Sequence, residues 1–364
     1  MFSGFKTPKH KKFKKEDIMG SKSKRIVSII IFLLGILSTS YTLYLGFTGN
    51  RNNMRGGILI LGFLLIILGM YFFHTKHHSK IINILFLLPL MLTLIFTVLV
   101  PFIYGIFYSF TDWDGIKYSN FVGLKNYIKI FKSIDYIYSF AVTLIYTIAN
   151  MISINIVAFG LAILCTSKVK GKIFYRASFF LPNLIGGIVL GYIWQFIFNK
   201  VCISLIKDSV SMLTDPNLAV LAIIIVSTWQ YSGYIMMIYV TGFTTLPIDV
   251  LEAAKVDGAG FWHTLFKVKL PMIANTITIS ILFTLIYSFK QFDLNFAITY
   301  GAPPRVLLGK TIPATGFLAF NIYDTAITLS RFSLGQAKAV IFFVILTIVS
   351  VVQVSISKKK EIEL

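Results

Sequence analysis

Three stretches of this chain place polar side chains among long apolar runs, and each could do chemistry. The first is LPIDVLEAAKVDGAGFWHTLFKVKLPM, from Leu246 to Met272. Thr244 or Thr245 can cap a helix there, and Pro247 suits its first turn. Asp249 and Glu252 fall near the positive end of that helix's dipole. Val250, Ala253, Ala254 and Asp257 share one side by their spacing. Ala253 and Ala254 keep that side low, so another surface can approach closely. Gly258 and Gly260, flanking Ala259, end the helix, and Phe261 to Phe266 turn back toward an apolar run. A short helix with a small-residue face, a glycine break and a second short helix make a docking device. An ordinary interfacial loop helix is the plainer reading of the same composition.

The other two stretches lie inside apolar runs: Ser227 to Tyr234 and Tyr287 to Asn295. Polar groups are costly in a membrane interior, so they point to function. Aromatic faces beside amides and hydroxyls suit a ring with apolar faces and hydroxyl edges. The candidates are Ser227, Gln230, Tyr231, Tyr234, Ser288, Gln291, Phe292 and Asn295. The competing role is hydrogen bonding between helices, which is also the role expected of Asn150, Asn155 and Asn183. Lys290 and Asp293 are three residues apart, which allows an interfacial salt bridge, a snorkelling lysine or a ligand contact. His74, His77 and His78 are clustered, but no carboxylate or cysteine accompanies them. A polar loop is the ordinary reading, and no metal site is expected.

Composition places these stretches. The chain has 364 residues, 56% apolar and 13% charged, against about 25% charged in a soluble domain. That deficit and the repeated apolar runs indicate a polytopic membrane protein. The net charge of +20 comes from lysines at the ends of apolar runs. They act as topology signals, and no basic face interleaved with stacking aromatics calls for nucleic acid. Cys165 and Cys202 fall on opposite membrane sides in the topology below and are expected to stay unpaired. The sequence contains no G-x-x-x-x-G-K-[ST] phosphate loop, so ATP chemistry is not expected in this chain and no cofactor of its own is implied. No paired carboxylates lie on the apolar runs, which argues against a membrane enzyme.

A bilayer core of about 30 Å needs roughly 20 apolar residues of helix. Eight runs qualify: Ile26–Phe47, Gly57–Phe73, Ile81–Phe110, Ser139–Cys165, Ser178–Phe198, Leu218–Gly242, Met272–Phe292 and Ala337–Ser357. The expected fold is therefore all-α with eight transmembrane helices. Pro89 and Pro101 predict a kink in the third. With the N-terminus inside, Lys and Arg favour the inner segments by about two to one. Both termini and the 246–271 loop then lie in the cytoplasm. The basic head at 1–25 leads into an uncleaved anchor rather than a signal peptide, since the first run exceeds a 7–15-residue apolar region. That head is free to contact anionic lipid.

The order Glu252-Ala253-Ala254, Asp257-Gly258-Ala259, Phe266, Val268, Leu270-Pro271 resembles the EAA loop of ABC importer permeases. Ser109 to Trp113, Phe121 to Tyr127 and Tyr175 to Pro182 are similar to segments of carbohydrate permeases of the maltose and glycerol-phosphate type. So are Ser288-Phe289, Phe292-Asp293 and Gly301 to Pro304. Ala274 and the Pro303-Pro304 pair depart from the family pattern, and the second bears on the outer loop. The resemblance implies six helices, within 81–357, forming a type I importer core. Two extra N-terminal helices (26–80) precede it and a short tail (358–364) follows. It implies as partners a second homologous permease subunit, two ATPase subunits that hold ATP and Mg, and an extracytoplasmic solute-binding protein. It also implies a plasma-membrane location and a sugar or oligosaccharide cargo, with glycerol-phosphate or another polyol derivative as the alternative. Val250, Glu252, Ala253, Ala254, Asp257, Gly258 and Ala259 would then couple to the ATPase.

Overall fold

The computed structural model describes residues 16–48, 55–72, 78–118, 120–167, 170–205 and 210–358. The basic head before Glu16, the histidines His74 and His77, and the tail after Lys358 lie outside the described residues. The chain divides into two compact units, with the boundary between Ile103 and Tyr104.

In the first unit, α1 (Glu16–Phe47) packs on α2 (Arg55–Phe72). Small residues make the contact. A side chain at Gly35, Gly62 or Gly69 would strike the facing helix, Ser28 donates to the Gly69 carbonyl, and Ser38 donates to Ile58 at 3.1 Å. This is how membrane helices associate when no water drives them together. α3 (His78–Leu94) follows, and it passes through a π turn at Ile95–Leu99 into α4 (Val100–Ser109). Pro89 lies inside α3 without interrupting it, and the π turn ends two residues before Pro101.

The second unit adds α5 (Lys125–Phe131), α6 (Ile134–Thr166), α7 (Lys172–Leu184), α8 (Gly187–Phe196), α9 (Cys202–Leu205) and α10 (Pro216–Thr244). After these come α11 (Ile248–Val256), α12 (Phe261–His263), α13 (Leu270–Met272), α14 (Ala274–Phe289), α15 (Asp293–Ile298), α16 (Leu318–Tyr323) and α17 (Phe332–Lys358). A hairpin of β1 (Pro304–Leu307) and β2 (Lys310–Pro313) interrupts the all-α pattern. It follows a cis Ala302–Pro303 bond and turns on Leu308 and Gly309, both at positive φ, as a two-residue hairpin requires.

Among the described residues, seven helical stretches are long and apolar enough to cross a membrane. Gly56–Phe72 is shorter at 17 residues, about 26 Å of helix against a core of about 30 Å. The expected Ser178–Phe198 span is displaced. Pro182 sits in the last turn of α7, Ile185 is extended, and a new helix starts at Gly187. Ser178 therefore belongs to an amphipathic helix with Ile173, Phe174, Leu181 and Leu184 exposed, and the crossing stretch is Gly187–Leu205. The Met272–Phe292 expectation is likewise broken at Lys290 and resumes at Asp293. Cys165 and Cys202 are both free.

α10 begins on Asp215, whose Oδ1 accepts from the Asn217 and Leu218 amides at 2.8 and 2.9 Å. Those amides hold the Asp215 carboxyl below the ordinary carboxylate range, as expected for a helix cap. α6, α10 and α14 then pack along their lengths. Apolar clusters lie in both halves, around Tyr146, Ile223 and Phe317 in one and Ile154, Met236 and Tyr239 in the other. Between them, midway along α6, sits Asn150, 1% exposed. Its Oδ1 accepts from Ser227 at 2.7 Å, and its Nδ2 donates to Ser288 at 2.9 Å. Asn155 repeats the arrangement nearer α11. Its Nδ2 donates to Thr284 at 2.9 Å and its Oδ1 accepts from Tyr239 at 2.7 Å. Both asparagines thus tie α6 to α10 and α14.

Replacing Asn150 by Leu removes the donor to the buried Ser288 hydroxyl and leaves Ser227 only its bond to the Ile224 carbonyl at 3.1 Å. We expect a loss of about 1–2 kcal/mol in the unfolding of the detergent-solubilised protein. A stability equal to wild type would contradict the three-helix tie.

Candidate functional site

Two regions gather the residues singled out from the sequence. The first is α11. Its N-terminus is set by Pro247, in extended conformation and with no side-chain cap. Thr244 and Thr245 do not cap it, contrary to expectation. They finish α10, donating to Thr241 and Gly242, each at 2.9 Å. Its C-terminus is closed entirely by main chain. Gly258 has φ +75°, its N–H donates to Lys255 at 3.0 Å, and the Ala259 N–H donates to Ala254 at 2.9 Å. This is the Schellman arrangement, and it needs a left-handed residue at Gly258.

No residue of α11 is buried. Ile248 and Val256 are 67% and 88% exposed. Glu252, Ala253, Asp257 and Gly258 are exposed, as is Val250, while Ala254 and Ala259 are half-buried. Ala254, Asp257, Gly258, Ala259, Gly260, His263 and Val268 line a notch of about 330 Å³. The chain then runs through α12, a π turn at Thr264–Lys269 and α13 to the start of α14. Leu265 and Ile273 are the buried residues of this return, each at 2%. α11 is thus an exposed helix at one end of the bundle, entered at Pro247 and closed at Gly258.

The second region lies on α10, α14 and the 290–298 stretch that follows, which includes α15. Of the eight candidates, Ser227 and Ser288 have no exposed surface and face Asn150. Gln230 donates to the Ile185 carbonyl at 3.3 Å, and Asn295 donates to the Thr315 carbonyl at 3.0 Å. Gln291 is buried at 4%. Phe292 packs on Phe296 and Tyr323, each 5.2 Å between ring centroids. Tyr231 and Tyr234 are different. Tyr231 stacks on Tyr287 at 5.3 Å, and Tyr234 meets Tyr287 and Phe283 edge-on at 6.3 and 6.2 Å. These four rings form one aromatic face, with the three tyrosines half-buried and Phe283 exposed. Lys290 lies 5.6 Å above the Tyr287 ring, and Asp293 sets its Cβ against Gly187. The two charges do not form the salt bridge their spacing allowed.

Phe283 and Tyr287 were not among the eight. Tyr287 opens the second polar stretch of the sequence, but Phe283 is placed only by its ring contacts with Tyr234 and Tyr287. Trp194 and Trp229 add a further edge-to-face pair at 5.6 Å, with Trp229 41% exposed. Gln230 Oε1, Asn295 Oδ1 and Trp194 Nε1 are buried polar atoms without a protein partner. α7 closes one side: its Phe179 carbonyl would lie 1.8 Å from a Cβ at position 233, so only Gly233 permits the approach. The Arg176 guanidinium fastens α7 to the Cys165 carbonyl at 2.9 Å. Aromatic faces beside amide and hydroxyl groups can bind a polyhydroxy ring. Among the described residues, no group of three or more His, Cys, Asp or Glu could hold a metal.

Known proteins resemble this chain over most of its length. The probable starch degradation products transport system permease protein of Thermoanaerobacterium thermosulfurigenes is 42% identical over 286 residues, covering 77% of this chain and 95% of that one. The multiple sugar-binding transport system permease protein of Streptococcus mutans serotype c is 31% identical, covering 76% and 94%. Among solved structures, a bacterial ABC transporter involved in the import of alginate matches with a TM-score of 0.65 at 17% identity, covering 78% of this chain and 97% of that one. That identity speaks for the fold alone. The model of the family described as binding-protein-dependent transport system inner membrane component matches residues 121–362. The chain belongs to this family of ABC importer permeases, multi-pass transport components of the inner membrane.

Proposed function

We propose that this chain carries a sugar or oligosaccharide into the cell, working by alternating access in a complex with a second permease subunit and two ATPase subunits. An extracytoplasmic binding protein delivers the cargo. The observation that carries this reading is α11, a helix with no buried residue in a chain that lacks a phosphate loop of its own. ATP and Mg belong to the ATPase, whose closure pushes α11 and tips the spans attached to it. Val250, Ala253, Ala254 and Ala259 fill the ATPase cleft, Glu252 and Asp257 meet its basic side chains, and Gly258 keeps the bend. Both termini lie in the cytoplasm with α11, which the lysine distribution supports.

The cargo reading rests on the relatives named for starch degradation products and multiple sugars. The aromatic face of Tyr231, Tyr234, Phe283 and Tyr287 supports it. Glycerol-phosphate is less well supported: a relative of that name is 28% identical and covers 66% of this chain. Tyr231 and Tyr234 contact the sugar directly, and Gln291 and Phe292 line its path. Ser227, Gln230, Ser288 and Asn295 reach it when the spans rearrange, since each is bonded within the protein in the conformation described.

Glu252→Lys, or Gly258→Pro, should leave the protein in the membrane but abolish co-purification of the ATPase subunit. Capture of the ATPase at wild-type yield by either variant would overturn the docking role. Tyr231→Ala should raise the half-saturating cargo concentration in proteoliposomes by about tenfold, as loss of roughly 1.4 kcal/mol of ring contact implies. An unchanged value would remove the aromatic face from the pathway.

A further inference from the structure

At the end of the bundle opposite α11, a segment without regular structure is buried between helices. Ala314, Thr315 and Phe317 have no exposed surface, nor has Leu318, where α16 begins. Non-helical backbone survives at membrane depth only where protein satisfies it, and here it does. The Tyr138 hydroxyl donates to the Ala314 carbonyl at 2.8 Å, and the Leu318 N–H donates to Thr143 Oγ1 at 2.8 Å. Asn295 Nδ2 donates to the Thr315 carbonyl at 3.0 Å. The Phe317 ring rests 4.5 Å from that of Tyr146, whose hydroxyl accepts from Asn150 at 3.3 Å.

The far side of this segment is held by a lysine that no part of the site uses. Lys338 lies inside the spanning helix α17 and is 4% exposed. Its ammonium donates to Asn321 Oδ1 and Thr325 Oγ1, both at 2.6 Å, and stands 5.6 Å above the Tyr136 ring. Asn321 Nδ2 in turn donates to Asp135 Oδ2 at 2.6 Å. The amide stands between a cation and an anion, with its oxygen toward the first and its nitrogen toward the second. Flipping it would set like polarities together at both ends, so the charges fix its orientation. α6, the 314–325 segment and α17 are thereby joined by one relay. A charge in a membrane span is costly and is kept when it is paired and has work to do.

We propose that Lys338 is a positioning residue for transport. Through Asn321 and Asp135 it fastens α16, and with it the buried 314–317 segment, to α6 and α17, so that the three move as one body when access switches. This rests on the importer reading above. The test uses the full importer complex in proteoliposomes, comparing wild type with Lys338→Met, which keeps chain length and loses the donors, and with Thr325→Val, which removes one acceptor. Hydrogen exchange should quicken at least tenfold in amides of 314–328 for Lys338→Met and less for Thr325→Val. Exchange should stay unchanged in 150–165 and 220–240. Uptake should fall at least fivefold with ATPase subunits still bound. Unchanged exchange in 314–328, or an equal rise throughout all spans, would overturn the proposal. Exchange is read independently of uptake, so its failure is distinct from failure of the importer reading, which would appear as no uptake by the wild-type complex.

Discussion

Hydrocarbon offers polar atoms no partner, and this constraint organises the molecule. A buried amide or hydroxyl in a membrane span is stabilised when another side chain or a main-chain carbonyl answers it. Asn150 answers two serines at once, and Asn155 answers a threonine and a tyrosine. These ties set the register between α6, α10 and α14, and apolar packing fills the volume above and below them. The aromatic face, the α7 support and the buried 314–317 segment are all positioned relative to that register. The α1–α2 pair solves the same problem with small residues instead, pairing hydroxyls with main-chain carbonyls.

How much of this was legible in the sequence varies with the kind of information needed. Long uninterrupted runs such as 134–166 and 216–244 announce themselves, because apolar length is a one-dimensional property. The α11 loop was readable because its turn is built from local main-chain bonds around Gly258. Ser178 was misplaced because Pro182 and Ile185 end α7 within an apolar stretch, and composition does not separate a helix lying beside others from one crossing. Thr244 and Thr245 were equally able to end one helix or begin the next. Their bonds to Thr241 and Gly242 decided it.

The substrate candidates illustrate a different limit. Sequence identifies Ser227 and Ser288 as polar residues in apolar surroundings but not what they face. Across a helix contact, the facing residue belongs to a distant part of the chain, here Asn150. Phe283 escaped notice for the converse reason, since a phenylalanine in a membrane helix carries no signal until its neighbours are known. The hairpin at 304–313 and the Lys338 relay also depend on such distant pairings.

The end of α11 is closed by main-chain hydrogen bonds alone, and none of its side chains is buried. The outward residues of this helix therefore carry no folding duty beyond helix propensity. Its surface is open to mutational drift while the backbone stays put, provided Gly258 remains. Such a helix is free to co-vary with whatever protein meets it. Paralogous importers within one cell could thus acquire private partnerships through a handful of surface changes, leaving the interior of the bundle untouched.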